Sequence, residues 1–127
     1  MSTLKVNTIQ NTSAAHSSTP EQIAQGRAKA WVNFNGTGTL AIRDSFNVSS
    51  VTDNATGQYT TNFSTSFSNT NYAAVYTISV TNSTSTHGYP YLSTFNTGSN
   101  KISVFSDSNS GAQVDKFFVC GVFFGDS

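Results

Sequence analysis

The feature that most limits how this chain folds is an apolar run near its C-terminus, from Phe117 to Phe124. Neighbouring side chains of an extended strand point to opposite sides, and both sides of this run carry Phe and Val. A strand with one face in water would instead alternate between apolar and polar residues. Cys120 and Gly121, in the middle of the run, permit another layer to approach closely. The run is therefore expected to lie between two apolar layers: the domain's own core, and a second sheet or a neighbouring subunit.

Upstream of that run, apolar and polar residues alternate with a period of two, which is typical of β-strands with one buried face. Turn sequences rich in Gly, Asn and Asp separate these stretches at intervals of about eight to twelve residues. Pro90 interrupts one strand and places it at the edge of a sheet. The pattern predicts an all-β chain whose main part is an antiparallel β-sandwich. The predicted strands cover residues 28–34, 40–48, 59–63, 72–80, 89–95, 101–105 and 117–124.

One predicted strand carries an acidic residue on its apolar side. Residues 40–48 alternate as a single strand, and Asp44 falls on the face that is otherwise apolar. A buried carboxylate needs a partner, because an isolated buried charge is strongly destabilising. Asp44 is therefore expected to be a buried acid that meets Arg27 or Lys29.

The N-terminal part, residues 1–27, is expected to be distinct from the head, residues 28–127. Leu4, Val6 and Ile9 are scattered among polar residues and are too few to close a core of their own. They are interpreted as anchors of an extended stem that pairs with its copies in an oligomer. A disordered tail is the alternative for this segment.

A short helix is predicted between stem and head, after a small polar linker over residues 11–18. Thr19 suits the N-cap, Pro20 the first helical position, and Gln22 the position that completes a capping box. Gly26 is a suitable end for the helix. A helix of about one and a half turns is too short to be stable unless it docks against other residues.

The polar surface of the chain comes mostly from uncharged side chains. Charged residues make up 9% of the chain, against roughly 25% in an average soluble protein, whereas Ser, Thr and Asn make up about two-fifths. Six basic and six acidic residues give a formal net charge of zero. No basic patch is expected, so nucleic acid and anionic membranes are not expected partners. A neutral surface permits close self-association and suits neutral polar ligands such as sugars.

No segment resembles a signal peptide or a membrane-spanning helix. Met1 to Gln10 lacks a continuous apolar stretch, and no apolar run in the sequence is long enough to cross a bilayer. The expectation is a chain that is made and assembled in the cytoplasm, without insertion into a membrane.

Residues suited to catalysis or metal binding are scarce and scattered. His16 and His87 are the two histidines, Glu21 is the single glutamate and Cys120 is the single cysteine. No nucleophile motif, zinc-ligand spacing or complete calcium loop is present. The chain is therefore predicted not to be an enzyme, with no catalytic residues, no metal site and no cofactor. The enzymatic alternative, a glycan depolymerase, requires a carboxylate pair formed between subunits.

The segment Tyr89-Pro90-Tyr91, beside His87, is the best candidate for a binding site. Exposed tyrosines provide a large contact area and a hydroxyl group at low entropic cost. The alternative is an edge strand with one tyrosine packed inside. Trp31 points away from the apolar face of its strand and is expected to pack on the short helix or on a neighbouring subunit.

Several stretches of the sequence resemble a module found in tailed phages. They are AWVNFNGTGT over residues 30–39 and IRDSFNVSSVTD over residues 42–53. GQYTTNF over 57–63 and NYA over 71–73 fit the same module. LKVNTIQ over residues 4–10 resembles the short segment that often precedes such heads. The resemblance covers about the first two-thirds of the chain.

The resemblance implies a C-terminal head of a tail fibre or another virion protein, of the kind found in marine and cyanobacterial phages. It also implies a homotrimeric virion component. Since no signal peptide is visible, assembly is expected in the host cytoplasm, and attachment to other virion proteins is expected through the N-terminal segment. The family usually carries Gly where Ala55 stands, so this loop is expected to differ slightly.

Together, the patterns and the resemblance predict a trimeric tail-fibre tip that attaches to the host through surface loops, with a host glycan or protein as ligand. A capsid decoration or baseplate accessory trimer without receptor binding is the alternative. The predicted receptor-binding residues are His87, Tyr89 and Tyr91. The predicted trimer-interface residues are Leu4, Val6, Ile9, Trp31, Phe117, Val119 and Phe123.

Overall fold

The computed structural model describes residues 1–79, 87–106 and 111–126. The predicted loops over residues 82–88 and 107–111 fall mainly outside these ranges. Antiparallel strands dominate the described residues, beside one short helix, so the all-β prediction is confirmed. The elements are β1 (Ile9–Gln10), β2 (Ser17–Ser18), α1 (Pro20–Gly26), β3 (Ala30–Asn35), β4 (Ala41–Phe46), β5 (Val48–Ala55), β6 (Gln58–Phe63), β7 (Ala73–Ile78), β8 (Gly88–Asn96), β9 (Ser99–Ser106) and β10 (Val119–Phe124).

Eight of the strands build two four-stranded antiparallel sheets. Sheet I has the strand order β4-β3-β10-β7, and sheet II has the order β5-β6-β9-β8. β10, which contains most of the apolar run, lies in the interior of sheet I between β3 and β7. β8 contains Pro90 and lies at the end of sheet II, as the proline predicted. β1 and β2 pair separately as a two-stranded sheet.

The two sheets contribute side chains to one core, because alternate residues of their central strands turn inward. The rings of Phe34 and Tyr59 meet edge to face at 5.1 Å, and this pair joins sheet I to sheet II. Phe63 and Phe123 do the same at 4.9 Å. Such aromatic pairs contribute about 0.5–1.5 kcal/mol beyond the area that they bury. The most deeply buried apolar members are Ala30, Val32, Phe34, Tyr59, Ile102, Val104, Val119 and Phe123.

The position of β10 corrects part of the predicted subunit interface. Val119 and Phe123 have no exposed surface, because they point into the core of their own chain. They have nothing to present to a second chain, and the expectation that they line a trimer interface is wrong. The opposite side of β10, with Cys120, Val122 and Phe124, is half-buried.

Gly121 allows a neighbouring side chain to lie directly across β10. A Cβ atom at this position would lie 2.6 Å from Cε1 of Tyr76, which is paired with Gly121 across the sheet. The Tyr76 hydroxyl in turn lies 3.0 Å from Oγ1 of Thr61 in β6 and links the two sheets. A side chain does approach Gly121 closely, but it belongs to the neighbouring strand of the same sheet and not to a second layer, as was expected.

Three core tyrosines hold their hydroxyl groups in hydrogen bonds. The Tyr59 hydroxyl donates to Oδ1 of Asp115 at 2.6 Å, and the Tyr72 hydroxyl accepts from Nδ2 of Asn100 at 3.3 Å. Burial raises the pKa of Tyr59, Tyr72 and Tyr76 above the ordinary tyrosine value. The neighbouring Asp115 carboxylate raises the pKa of Tyr59 further. All three hydroxyls therefore stay protonated in the folded chain well into the alkaline range.

The predicted single strand over residues 40–48 is divided between the two sheets at Asn47. Asn47 has a φ of 54°, in the left-handed region that Asn tolerates better than most residues. Its side-chain amide donates to the carbonyls of Lys29 at 3.1 Å and Thr65 at 3.0 Å. Its Oδ1 accepts from the Thr65 backbone N–H at 2.7 Å. These bonds hold a corner at which β4 ends in sheet I and β5 begins in sheet II.

Asp44 is exposed, so the expectation of a buried acid is wrong. The pairing of β3 with β4 contains a bulge in which Arg43 is the extra residue. The bulge shifts the alternation, and Asp44 stands opposite Asn33 on the outer side of sheet I. Its Oδ1 accepts a hydrogen bond from the backbone N–H of Ser45 at 2.8 Å. The carboxylate therefore faces solvent rather than the core.

The short helix α1 begins as predicted. The Thr19 side chain accepts from the backbone N–H of Gln22 at 3.1 Å, and the Gln22 side chain accepts from that of Thr19 at 2.9 Å. These two bonds form the capping box and satisfy backbone donors at the helix start. At the other end, Nε2 of Gln25 donates to Oδ1 of Asp126, which docks the helix on the C-terminal end of the chain.

The residues before the helix fold back on themselves. Ile9 pairs with Ser18 and Gln10 pairs with Ser17 in the small β1–β2 sheet. Residues 1–18 therefore do not run as one continuous extended stem. A turn between β1 and β2 therefore stands where the small polar residues 11–18 led us to expect a linker.

Replacing Gly121 with Ala is expected to lower the free energy of unfolding by about 1–3 kcal/mol, because the added methyl group would overlap the Tyr76 ring. A urea titration followed by fluorescence measures the loss. Gly26→Ala is the matched control, since no atom lies within 4 Å of a Cβ there. Equal effects of the two substitutions would contradict the close approach of Tyr76.

The fold is expected to lose stability at alkaline pH. An unfolded tyrosine releases its proton near the ordinary pKa of 10.0, whereas the folded chain holds the protons of Tyr59, Tyr72 and Tyr76 to higher pH. Their contribution to stability is therefore complete below about pH 10 and is lost above it, at up to about 1.4 kcal/mol per pH unit for each tyrosine. Unfolding free energies measured from about pH 8 to about pH 11 test this. Tyr76→Phe should reduce the loss of unfolding free energy by up to about 1.4 kcal/mol per pH unit, the effect of one proton. An unchanged slope would show that Tyr76 does not contribute to the alkaline loss of stability.

Candidate functional site

The outer face of sheet I carries apolar side chains in a row that crosses all four strands. Phe46 of β4 stands opposite Trp31 of β3, and Trp31 stands opposite Val122 of β10. Val122 stands opposite Val75 of β7, which completes the row. Phe46 and Val75, at its two ends, are each 53% exposed. With about 4.8 Å between neighbouring strands, these four residues span about 14 Å. We name them the apolar row.

The same face carries a basic and an acidic side chain beside the apolar row. The Arg43 guanidinium lies 4.4 Å from the centre of the Phe117 ring and 4.0 Å from that of Phe118. It donates to the Phe117 carbonyl at 2.7 Å and to Oδ1 of Asn33 at 3.2 Å. Asp44 stands opposite Asn33 and is exposed. Opposite charges therefore lie close together on the outer face of sheet I.

The predicted interface residues of the head separate into two groups. Trp31 belongs to the apolar row, and Phe117 is 39% exposed at the edge of the same face, where Arg43 partly covers it. Val119 and Phe123 lie inside the core. Sequence alternation did not separate these groups, because Phe117 precedes β10 and does not follow its register.

The predicted interface residues of the N-terminal part are all exposed. Leu4, Val6 and Ile9 line an open groove of about 520 Å³. Ile23 of α1 lies beside them and is also exposed. These side chains are available to another protein, and their pairing with sister chains stays a prediction.

The outer face of sheet II is polar across β5 and β6, whereas the outer face of sheet I carries the apolar row. The Asn62 side chain donates to Oγ of Ser50 and to Oγ1 of Thr52, both at 3.0 Å. Asn54 donates to Oγ1 of Thr60 at 2.8 Å. Hydroxyl and amide groups thus hydrogen-bond to one another across β5 and β6, as expected of a face in contact with water.

Tyr89 and Tyr91 lie together on the outer side of β8 at one end of sheet II. They are 51% and 60% exposed, so the alternative in which one of them packs inside is wrong. The Tyr89 ring stacks on Phe105 of β9 at a centroid distance of 5.8 Å and an angle of 23°. His87 is exposed and immediately precedes β8. The structure therefore places all three predicted receptor-binding residues along one short stretch of surface.

Three polar residues beside these tyrosines were missed by the sequence interpretation. Ser103 of β9 stands between Tyr91 on one side and Gln58 on the other. Gln113 bridges to β9 next to Gln58, and the Gln58 amide donates to its Oε1 at 2.9 Å. The period of two places Gln58 and Ser103 on the outer side of their strands, where Ser103 is only 7% exposed, but the contact of Gln58 with Gln113 depends on non-local pairing. We name the set Tyr89, Tyr91, Ser103, Phe105, Gln58 and Gln113 the tyrosine strip.

Within residues 1–79, 87–106 and 111–126, no group of three or more His, Cys, Asp or Glu side chains is placed to hold a metal ion. Among the same residues, no helix has the length and apolar character needed to span a bilayer. No protein-family model, curated protein or solved structure matches the chain. The apolar row and the tyrosine strip present apolar contact, stacking surfaces and amide groups, which are suited to binding.

Replacing Arg43 with Ala is expected to lower the free energy of unfolding by about 1–2 kcal/mol. The change removes the contacts with the Phe117 and Phe118 rings and the hydrogen bond to the Phe117 carbonyl. Arg43→Lys keeps the charge without the planar group and should lose an intermediate amount. Urea unfolding of both variants measures the difference. Full stability in Arg43→Lys would show that charge alone, and not stacking, accounts for the contact.

Proposed function

We propose that the chain is the β-sandwich head of a trimeric phage virion protein that attaches the particle to its host, with the tip of a tail fibre as its location. The resemblance of residues 30–39 and 42–53 to tailed-phage head modules supports the viral part of this proposal. The exposed surfaces of both sheets support a role in binding. In this role the protein works through contacts between folded surfaces and requires no cofactor.

The observation that carries the assembly part of the proposal is the exposure of the apolar row on sheet I. Contiguous apolar patches bordered by polar residues mark protein interfaces, because they are unfavourable in water. Aromatic side chains such as Trp31 and Phe46 are also enriched at the centres of interfaces. The β5–β6 part of sheet II shows what a solvated face of this chain is made of, namely Ser, Thr and Asn. A second copy of the chain is the occupant that we propose for the apolar row.

Charge supports a copy of the same chain as the partner. Arg43 and Asp44 are close together on the outer face, so a rotated copy can place its Asp44 against Arg43 of the first chain. Such a pair is complementary to its own copy under rotation about a twofold or a threefold axis, so it supports self-association. The formal net charge is zero, so the copies do not repel one another at long range.

The positions of the surfaces separate assembly from attachment. The apolar row lies on the outer face of sheet I, and the tyrosine strip lies on the outer face of sheet II. A trimer formed through sheet I therefore leaves Tyr89 and Tyr91 free for a host receptor. The N-terminal segment is assigned to contact with other virion proteins, and its exposed Leu4, Val6 and Ile9 stay assigned to pairing with sister chains.

A capsid decoration or baseplate trimer is the second candidate function. The exposed apolar side chains of Leu4, Val6, Ile9 and Ile23 favour it, since a small accessory protein also needs an anchor on the particle. The two candidates differ in what the tyrosine strip contacts. Fluorescently labelled protein should bind host cells if it is a fibre tip. If it is a decoration protein, it should bind purified capsids and should not bind host cells.

Native mass spectrometry is expected to show three copies of the chain. Val75→Lys should shift the population to monomers, because it places a charge at the exposed end of the apolar row on an edge strand. Ser93→Lys is the matched control, since Ser93 is exposed on the edge strand of sheet II. A monomeric wild-type chain, or equal dissociation by both substitutions, would refute assembly through sheet I.

A further inference from the structure

We infer that the tyrosine strip is a binding site for neutral oligosaccharides. This inference rests on the proposed attachment function and specifies the class of ligand. Four features of the described residues support it: a fixed aromatic surface, a pair of amides held beside it, the lack of charge within the strip, and an edge strand unsuited to pairing with a peptide.

The aromatic surface is formed by Tyr89 and Tyr91. These residues are two positions apart on β8, so their side chains project from the same face about 6.8 Å apart along the strand. Stacking on Phe105 limits the movement of the Tyr89 ring before any ligand binds. Tyr91 is more exposed, at 60%, and provides an accessible ring face and a hydroxyl group. A sugar ring presents C–H groups on one face, and these pack on an aromatic ring, while its hydroxyls reach the tyrosine hydroxyls.

The amide groups are held in place next to that surface. Gln58 and Gln113 are each half-buried and are joined by a hydrogen bond of 2.9 Å. That bond uses one donor of Gln58 and the oxygen of Gln113. A side-chain amide has two donors and two acceptor positions, so Gln58 still has an acceptor oxygen and Gln113 still has donor hydrogens. Sugar hydroxyls donate and accept at the same time and match this combination.

The strip is uncharged. Its members are Tyr, Phe, Ser and Gln. Among the described residues beside it, His87 lies two positions before Tyr89, and Lys101 of β9 lies one row further along the outer face. A site that selects sialic acid, sulfate or phosphate groups would need a cation in the strip itself, because fixed charges select anionic ligands through short contacts. Neutral sugars are therefore the class of saccharide that fits.

The edge of β8 favours a sugar over a peptide as the ligand. An extended peptide binds a sheet edge by adding a strand, and this needs an uninterrupted series of main-chain donors and acceptors. Pro90 lies between the two tyrosines and has no N–H group. Proline at an edge strand is one of the means by which proteins prevent such strand addition. The side chains of the strip, and not its backbone, are thus the recognition groups.

The test uses the full chain and soluble oligosaccharides. An array that carries neutral oligomers of glucose, galactose, mannose and N-acetylglucosamine, beside sialylated and sulfated glycans, identifies the bound sugar. Titration calorimetry with that sugar then measures the affinity per chain. We expect Tyr91→Ala to weaken binding about tenfold or more, through loss of the stacking surface. Tyr91→Phe keeps the ring and should lose less than about threefold, and Gln58→Ala should lose about fivefold.

Lys101→Ala is the control on the same face, and it should leave the affinity unchanged. Thermal unfolding of each variant confirms that the fold is retained. Binding of charged glycans alone, binding of no neutral sugar, or full affinity in a folded Tyr91→Ala variant would overturn the inference.

The failures of the two proposals are distinguishable. A trimer that attaches to host cells but binds no neutral sugar would refute the sugar site and leave the attachment function in place. A monomer that binds a neutral sugar through Tyr91 and attaches to no host cell would refute the fibre-tip function and leave the sugar site in place.

Discussion

The packing of β10 between β3 and β7 is the contact on which the rest of the structure depends. Val119 and Phe123 fill the core from this strand, and Gly121 lets Tyr76 lie across it. Removal of β10 would separate β3 from β7 and leave sheet I in two pieces, with the inner rings of sheet II exposed. Because β3 and β10 lie near opposite ends of the head, this pairing is non-local, and such pairings are slow to form during folding.

Polar contacts between distant parts of the chain hold the ends of the sheets in position. Asn47 holds the corner at which the chain crosses from sheet I to sheet II. Asp115 accepts from the Tyr59 hydroxyl at 2.6 Å and from the Gly57 backbone N–H at 2.7 Å, which joins the β5–β6 turn to the segment before β10. Charge-assisted hydrogen bonds of this kind are stronger than neutral ones. A chain with few charged residues uses this carboxylate and the Arg43 guanidinium as connectors between strands.

The two outer faces of the head differ in chemistry. Sheet I carries an apolar row with Arg43 and Asp44 beside it, which suits contact with a sister chain. Sheet II carries hydroxyls, amides and, at one end, Tyr89 and Tyr91, which suit a hydrated ligand. The core between the faces is closed by its own side chains, so a contact on one face leaves the other unobstructed.

The strand content, the helix cap at Thr19 and the edge position of Pro90 can be predicted from the amino-acid sequence, because periodicity, capping and the missing proline N–H act locally. The pair Tyr89 and Tyr91 was also found from the sequence. Which side of β10 is internal depends on how the sheets pack, since both sides are apolar and a period of two cannot distinguish them. The corner at Asn47, the bulge that turns Asp44 outward and the meeting of Gln58 with Gln113 likewise depend on contacts between residues distant in sequence. Local patterns carry no information about such contacts, and the register of the sheets supplies it.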